Sequence, residues 1–474
     1  MNNTLHAVLY RQDGVTRLTY AQHRAWWEQE QQVAGNSLND LAAIAYPQHV
    51  SHLWVMPDCG EFEPQGDSAD WRFSPYINRR KKMMGAAVRK RGHQAIDVNI
   101  IFPEQSSWWG NTKSPGWIAR AAPREVIGTL YYLEQALGIT VTGSPGRTGW
   151  HYLKKIHPEW IEDIPGLDLR ASQFTSTPDI IWRRPLLSIE RKRKYIHKFD
   201  KSAAYPYAGT QTDVGVGTPV HLEGEAAAEA AKHEKGHPQD VGIWHCIITH
   251  VPLFPAMPPP WDGKADAWIP GPLIRLMRKT GYELTIQEGW VFPERHDVLV
   301  KWGLDLWKIR NGFLDTCKWT NRAIALLAQK ATKQIMNATV GMTAFSGFDV
   351  GEEMKRPDIR LQVIARHREL TWHNIEKVRV MYGVTPVLVY MDAVYYISDE
   401  PDGRKVLPEL VKREGQFGGY RWEGRVALDE TFTYVYKGKN APPPWKGTGM
   451  ELFSSSMYNE ANILEALNAK GWIQ

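Results

Sequence analysis

Three stretches of this 474-residue chain carry side chains whose type and spacing could do chemistry. The first is His197-Lys198-Phe199-Asp200-Lys201-Ser202-Ala203-Ala204-Tyr205-Pro206. Tyr195, Ile196 and Phe199 give a β-leaning approach with Asp200 at its tip, and Pro206, which has no N–H to extend a ladder, closes the small-residue turn. A single Asp at a strand end is also a common helix cap or turn former. The second is Lys333-Gln334-Ile335-Met336-Asn337-Ala338-Thr339-Val340-Gly341, in a helical run predicted from near Trp319. Arg322, Leu326, Lys330, Lys333 and Asn337 recur at three- and four-residue steps, so one stripe presents cations and an amide, as an ordinary solvated face also does. The third, Val387-Leu388-Val389-Tyr390-Met391-Asp392-Ala393-Val394-Tyr395-Tyr396-Ile397, reads as two strands with an acid at the bend. An unpaired carboxylate in a buried hairpin is costly and calls for a cation. Carboxylates suit hard divalent cations, and lysine or arginine suits phosphate.

The elements that must position these residues follow from the rest of the chain. At this length one core does not suffice, and a domain size of roughly 100–200 residues predicts two to four domains. With 43% hydrophobic and 11% aromatic residues there is material for several cores. The formal charge of +5 fits a polyanionic partner. Its positive residues cluster in Arg79-Arg80-Lys81-Lys82, Arg89-Lys90-Arg91 and Arg191-Lys192-Arg193-Lys194, each of which could equally be a solubilising face or a targeting tract. Cys59, Cys246 and Cys317 are odd in number and far apart, so neither a disulfide framework nor a zinc knuckle is expected, and the chain reads as cytoplasmic. No basic-then-apolar leader opens it and no long uncharged apolar run occurs, so no membrane partner is expected.

In order, Asp13-Gly14 signals a hairpin between His6–Tyr10 and Thr16–Tyr20, and a helix is expected over 21–33. Apolar runs follow at 52–56 and 95–102, then a helix at 123–137 opened by Pro123 and a strand at 139–142. This alternation argues for an α/β layer. Gly143 to Gly149 reads as a glycine-rich loop that lacks the Gly-Lys-Ser/Thr ending of a P-loop. A soft boundary falls at 179–190. Beyond Pro206 come an open loop with Gly209, Gly215 and Gly217, a helix at 223–235, a strand at 241–250, a helix at 273–280 and a strand at 282–291. The long helical part, 298–336, is expected to break at Asn311-Gly312. A further helix over 360–380 leads through Pro386 to the Asp392 bend.

Taken in this order, the three stretches resemble the palm and fingers motifs of family B DNA polymerases. Asp-x-x-Ser-Leu-Tyr-Pro is followed by Asp200 to Pro206, with Ala203 and Ala204 for Ser and Leu. Lys-x-x-x-Asn-Ser-x-Tyr-Gly is matched by Lys333, Asn337 and Gly341, with Ala338 and Val340 for Ser and Tyr. Of the two acids in Tyr-Gly-Asp-Thr-Asp-Ser-Val, only Asp392 is present. The resemblance covers about residues 190 to 450.

The resemblance implies an α+β right hand: a degenerate ribonuclease H-like exonuclease domain (1–190), first palm part (191–297), fingers (298–345), second palm part (346–400), and palm end with a small thumb (401–474). It implies a polymerase adding deoxynucleotides to a primer 3′-hydroxyl with Mg2+ or Mn2+ held by Asp200, Asp392 and the Lys201 carbonyl. Of the two registers on the third motif, we prefer Asp392-Ala393-Val394-Tyr395 on Asp-Ser-Val-Tyr; alternation then places Tyr390, Asp392 and Val394 on one strand face. Lys333, Arg322 and Lys330 are expected on the triphosphate, Tyr205 under the sugar, Asn337 beside the base, and Gly341 where backbones approach. Arg366 and Arg368 in the last long helix, and Tyr434, Lys437 and Lys446 in the tail, are expected on DNA. In the tail Phe432-Thr433-Tyr434 stands where the family's Lys-x-Tyr would be, without its Lys. The first strand has no Asp-x-Glu, so no 3′–5′ editing is expected, and Asp58, Glu61, Glu63 and Asp97 read as surface acids. Template, primer and deoxynucleoside triphosphates are the implied partners. The small size resembles the protein-primed branch of phages and mobile elements, with protein, RNA or DNA all open as primer. A catalytically inactive relative that binds DNA ends is the alternative.

Overall fold

The computed structural model describes residues 5–22, 25–32, 35–62, 67–77, 82–105, 108–109, 116–158, 180–184, 186–232, 241–252, 254, 256–262, 264–315, 321–343 and 356–428. The chain divides into two compact units, Met1–Ile161 with Leu304–Lys355, and Glu162–Gly303 with Arg356–Gln474.

The first unit opens with β1 (His6–Gln12), β2 (Val15–Gln22) and β3 (Ala25–Glu30). Asp13 and Gly14 take positive φ of 53° and 78°, the backbone a two-residue hairpin needs, and β1 and β2 pair from Ala7↔Tyr20 to Gln12↔Val15. The helix expected over 21–33 is instead β3, paired antiparallel with β2; Trp26-Trp27 is β-favouring, and the open edge of β2 supplies the backbone partners. After α1 (Leu38–Ala45), capped reciprocally by Ser37 and Asp40, come β4 (His52–Val55), β5 (Trp71–Ile77), β6 (Met83–Lys90) and β7 (Val98–Ile101). They complete a seven-stranded sheet in the order β3-β2-β1-β4-β7-β6-β5, parallel at β1/β4 and β4/β7. Leu9, Leu41, Leu53, Val55 and Ile100 are part of its core.

Helix α2 (Pro123–Leu137) has Pro123 in its first turn and stops where Gly138 turns left-handed at φ 62°. The strand expected over 139–142 joins no sheet; there the Val141 N–H donates to Glu134 Oε1 at 2.8 Å. The glycine-rich stretch that follows is mostly helix, α3 (Pro145–Ile156).

The second unit begins with β8 (Ile181–Arg183) and β9 (Tyr195–Lys201), then α4 (Ala204–Gly209), β10 (Val214–Val216), β11 (Val220–Glu223) and α5 (Gly224–Ala230). Next are β12 (Ile243–His250), β13 (Asp266–Pro270), α6 (Gly271–Lys279), β14 (Glu283–Val291) and β15 (Glu294–His296). Strands β11-β14-β12-β13 form an antiparallel sheet, and β10 pairs with β15.

Helix α7 (Val298–Leu314) contains the division between the units, and α8 (Arg322–Met342) belongs to the first. The break expected at Asn311-Gly312 comes later. Gly312 lies within α7, where an exposed glycine costs only about 1 kcal/mol against buried Leu306 and Phe313. Asn321 caps α8 by accepting from the Ile324 N–H at 3.2 Å. The glycines of α3 meet this helix: a Cβ on Gly149 would overlap Thr339 Oγ1, and one on Gly146 would overlap Met342. They are spacers for close helix packing rather than a ligand loop.

Back in the second unit, α9 (Pro357–Tyr382) leads to β16 (Leu388–Tyr390), β17 (Ala393–Ser398), two single-turn helices, α10 (Gly403–Val406) and α11 (Pro408–Val411), and β18 (Tyr420–Ala427). The five-stranded antiparallel sheet runs β18-β9-β17-β16-β8. One face packs Phe199, Val389, Val394 and Tyr396 against Ile375 and Val378 of α9.

Candidate active site

Strand β9, flanked by β18 and β17 in the five-stranded sheet, carries Asp200 one residue from its end, as its apolar approach predicts. Pro206 does not close this strand. The chain turns through Ala203, a non-glycine residue at φ 52°, and Tyr205-Pro206 begins α4, where the missing proline N–H falls in a first turn that has no partner for it. Asp200 pairs with Ala393 on β17, and the Lys201 N–H donates to the Asp392 carbonyl at 3.3 Å. The antiparallel register thus sets Asp392, in the turn that leads into β17, next to Asp200 near the end of β9.

Asp392 occupies a two-residue turn between Tyr390 and Ala393, with Met391 at φ 56°. This corrects the expected alternation. Tyr390 faces the side of Ala393, Leu388 and Tyr395, whereas Val394 faces the opposite core with Val389 and Tyr396. Asp392 belongs to neither strand, and the turn rather than the pleat places it.

Across β18, Arg421 pairs with Asp200, and its guanidinium lies 3.2 Å from Asp200 Oδ2. Arg421 also reaches Glu423, which the Lys198 ammonium meets at 2.8 Å. These two partners hold the Glu423 carboxyl below its ordinary range despite burial. Gly418-Gly419 ties β18 to the turn after β9: the Ser202 N–H donates to Gly419 and the Gly418 N–H to Ser202. Gly418 stands at φ 72° against the Tyr207 ring, where a Cβ has no room. Arg421 was missed as a site residue in the sequence, although Tyr420-Arg421-Trp422-Glu423 alternates ring and charge as a half-buried strand does.

Lys201 points to the opposite face and is only 2% exposed. Its ammonium finds no hydrogen-bond partner among the described residues and lies over the rings of Tyr207 (5.3 Å) and Tyr420 (5.7 Å). Burial pulls its pKa down to about 8, against the opposing pull of Asp392. It lines a cavity of about 240 Å³ with Asn374, Lys377, Tyr382, Glu409 and Arg413. Tyr205 lies against the His367 ring at 4.8 Å between centroids; burial, then Lys201 and Arg368, hold that imidazole down at about 3, so it is neutral.

In the first unit, Arg322, Leu326, Lys330, Lys333 and Asn337 are exposed, and Gly341 follows them half-buried, all along one stripe of α8, as their spacing predicts. Ala325, Ala328, Ala331, Ile335 and Met336 are buried on the rest of the helix. Gly341 lies inside the helix, not at a C-cap, with open space where a Cβ would stand.

The expectation that Arg366 and Arg368 contact DNA is corrected. Both are buried; Arg366 is paired with Glu369, and Arg368 donates to Asp262 at 2.7 Å and to the Pro260 carbonyl at 3.0 Å. They are struts of the fold, because a guanidinium enclosed beside a carboxylate has no face left for phosphate. Tyr434, Lys437 and Lys446 lie outside the described residues.

Strand β1, which carries no Asp-x-Glu, opens on His6. Its Nε2 is 2.7 Å from Glu134 Oε1, its Nδ1 accepts from Trp54 at 3.0 Å, and the His52 ring lies 4.8 Å away. Asp58 is exposed and accepts from the Arg11 N–H at 3.0 Å; Asp97 accepts from the Lys90 N–H at 2.7 Å and meets His93 at 2.9 Å. Glu61 is exposed, and Glu63 lies outside the described residues.

The chain is a mixed α/β protein whose register brings residues Asp200 and Asp392 to neighbouring positions at one end of an antiparallel sheet, and its fold is partly similar to that of solved DNA polymerases. The chain is similar to phi29 DNA polymerase complexed with primer-template DNA and incoming nucleotide substrates, with a TM-score of 0.54 at 13% identity over 90% of this chain and 85% of that one. It is similar to the post-translocation binary complex of the same polymerase with a TM-score of 0.52 at 14% identity, over 89% and 84% of the two chains. No protein-family model and no curated protein matches the sequence. The likeness is one of fold. None of the described helices is long and apolar enough to cross a membrane.

Proposed function

We propose that this chain is a DNA polymerase that adds deoxynucleotides to a primer 3′-hydroxyl without 3′–5′ editing. The observation that carries the reading is the register that sets Asp392 beside Asp200, on a fold shared with a polymerase crystallised with primer-template DNA. Two acids at neighbouring backbone positions, one of them accompanied by a guanidinium, are a donor set suited to a hard divalent cation such as Mg2+ or Mn2+. Asp200 and Asp392, with the Lys201 carbonyl, would hold it. Bound there, such an ion would supply a Lewis acid for the attacking hydroxyl and positive charge for the triphosphate.

The chain's own residues do the rest. Lys333, with Arg322 and Lys330, supplies fixed positive charge for the triphosphate from the exposed stripe of α8. Tyr205, backed by the neutral ring of His367, fills the space a 2′-hydroxyl would take. Asn337 packs beside the incoming base, and the bare backbone at Gly341 allows close approach. These roles fall on a degenerate exonuclease-like N-terminal part, a palm split around fingers, and a small thumb. We assign the activity to replication of a phage, plasmid or mobile element on the chain's compactness, with a protein among the candidate primers.

Primer extension with Mg2+ and four deoxynucleotides tests this. Extension by the wild type that is lost in Asp200→Ala supports it. Failure of every wild-type preparation to extend, with DNA ends still bound, would establish instead the inactive, end-binding reading that the lone motif acid and the Arg421 pair favour.

A further inference from the structure

We propose that the four-stranded sheet of the second unit carries a binding site for a divalent transition-metal ion, built from His221, Glu223 and Glu288 and steadied by His245. One ligand atom from each of the first three lies within 4.8 Å of the others. The residues occupy consecutive strands: Glu288 on β14 stands directly opposite Glu223 on β11 and opposite His245 on β12. Two carboxylates facing each other across a ladder repel, so this pairing calls for a cation between them.

The imidazoles make the same demand. His245 Nε2 lies 2.6 Å from Asp266 Oδ1, which fixes its hydrogen there. The other nitrogen of a neutral ring then turns a lone pair toward Glu288 Oε1 at 3.3 Å, where it makes no hydrogen bond. His221 Nε2 lies 2.7 Å from Glu288 Oε2, and its Nδ1 looks toward Glu223 Oε1 at 3.6 Å. Each ring thus presents a lone pair to a carboxylate oxygen, a contact that only a second proton or a metal ion makes favourable. A carboxylate accepting from the far nitrogen, as Asp266 does, is the usual outer support of a metal-binding histidine.

The rings are also held in place. Trp290 packs on His221 at 4.8 Å and Trp268 stacks on His245 at 5.4 Å, 19° from parallel. Bonds of about 2.0–2.2 Å to a tetrahedral ion need donor atoms about 3.4 Å apart, so the side chains must draw in by up to about 1.5 Å. Exposed Glu223 and half-exposed His221 and Glu288 are free to do so. Imidazole with carboxylate selects Zn2+ or its neighbours over Mg2+. Such an ion would clamp β11, β14 and β12 together, and the site shares no residue with Asp200 and Asp392.

The test is calorimetric titration of the full chain with Zn2+ in an Asp200→Ala/Asp392→Ala background, which removes the other carboxylate pair. One Zn2+ per chain is expected, bound at least tenfold more weakly in Glu288→Gln and in His221→Gln, with excess Mg2+ failing to displace it. Co2+ should give visible absorption bands that the same substitutions abolish. Zn2+ affinity and stoichiometry unchanged by both substitutions would overturn the site, as would displacement by Mg2+. Both are conservative changes at partly exposed positions, and unaltered melting without metal shows that the fold has survived.

Discussion

Arg421 stands directly opposite Asp200 on the neighbouring strand, and its guanidinium donates to the Asp200 carboxylate at 3.2 Å. With no divalent ion bound, the arginine neutralises the acid, so an incoming cation competes with it. A partly exposed ion pair contributes up to about 1 kcal/mol, which is about fivefold in affinity. Arg421→Gln should therefore lower the Mg2+ concentration for half-maximal primer extension by about two- to fivefold. An unchanged or higher requirement would mean that Arg421 assists the bound state instead.

Asp392 is placed by a turn, and its neighbour Tyr390 faces the opposite side of the sheet from Val394. Asp392→Ala is expected to abolish nucleotide addition as fully as Asp200→Ala, whereas Tyr390→Phe, which keeps the ring, should only weaken it. Single-nucleotide incorporation compares the three. Synthesis that persists in Asp392→Ala would remove that residue from the metal site.

Lys201 is an enclosed ammonium without a hydrogen-bond partner among the described residues, and burial lowers its pKa to about 8. The ordinary value is 10.5, so between about pH 8 and 10.5 the unfolded chain binds more protons and stability from this group rises with pH. At neutral pH the charge costs the fold on the order of 3 kcal/mol, less what the two tyrosine rings return. Lys201→Met should then be the more stable protein at pH 7, by about 1–3 kcal/mol, with its advantage shrinking toward pH 10. Urea unfolding of both proteins at pH 7 and 9.5 checks the sign; an advantage independent of pH would refute it.

Gly149 lets α3 approach α8 so closely that a Cβ would overlap Thr339 Oγ1. Inserting a methyl into such a contact costs about 1–3 kcal/mol. Gly149→Ala should lower the unfolding midpoint accordingly, and Gly149→Ala/Thr339→Ala should recover part of the loss. No effect of the single change would mean that the helices separate without penalty.

What the sequence made legible was local. Asp13-Gly14, Pro123 and the apolar run before Asp200 announce a hairpin, a helix start and a strand through turn chemistry and periodicity alone. The helix wrongly expected over 21–33 shows the limit, since β2 offered Trp26-Trp27 an edge that no local pattern reports. The stripe on α8 was legible because helical spacing fixes it. The burial of Arg366 and Arg368 was not, because Asp262 lies more than a hundred residues before Arg368 and only the fold brings them together. Arg421 was hidden for the same reason: its meaning comes from standing beside Asp200 in the sheet.

Tyr205 stands in the first turn of α4 with its ring against His367, 4.8 Å between centroids, and that imidazole is neutral because it is enclosed with Lys201 and Arg368 nearby. The contact gives the tyrosine a rigid backing, which steric discrimination requires: a ring free to swing aside would admit a 2′-hydroxyl. Tyr205→Ala should raise ribonucleotide incorporation relative to deoxynucleotide by at least tenfold while leaving primer-template affinity nearly unchanged. His367→Ala, which removes only the backing, should move selectivity the same way by a smaller factor, and His367→Phe should restore it. Competition assays with matched ribo- and deoxynucleotides measure all three. Equal discrimination in wild type and Tyr205→Ala would take Tyr205 out of the nucleotide pocket, whereas an effect of Tyr205→Ala without any of His367→Ala would show that the ring needs no support from α9.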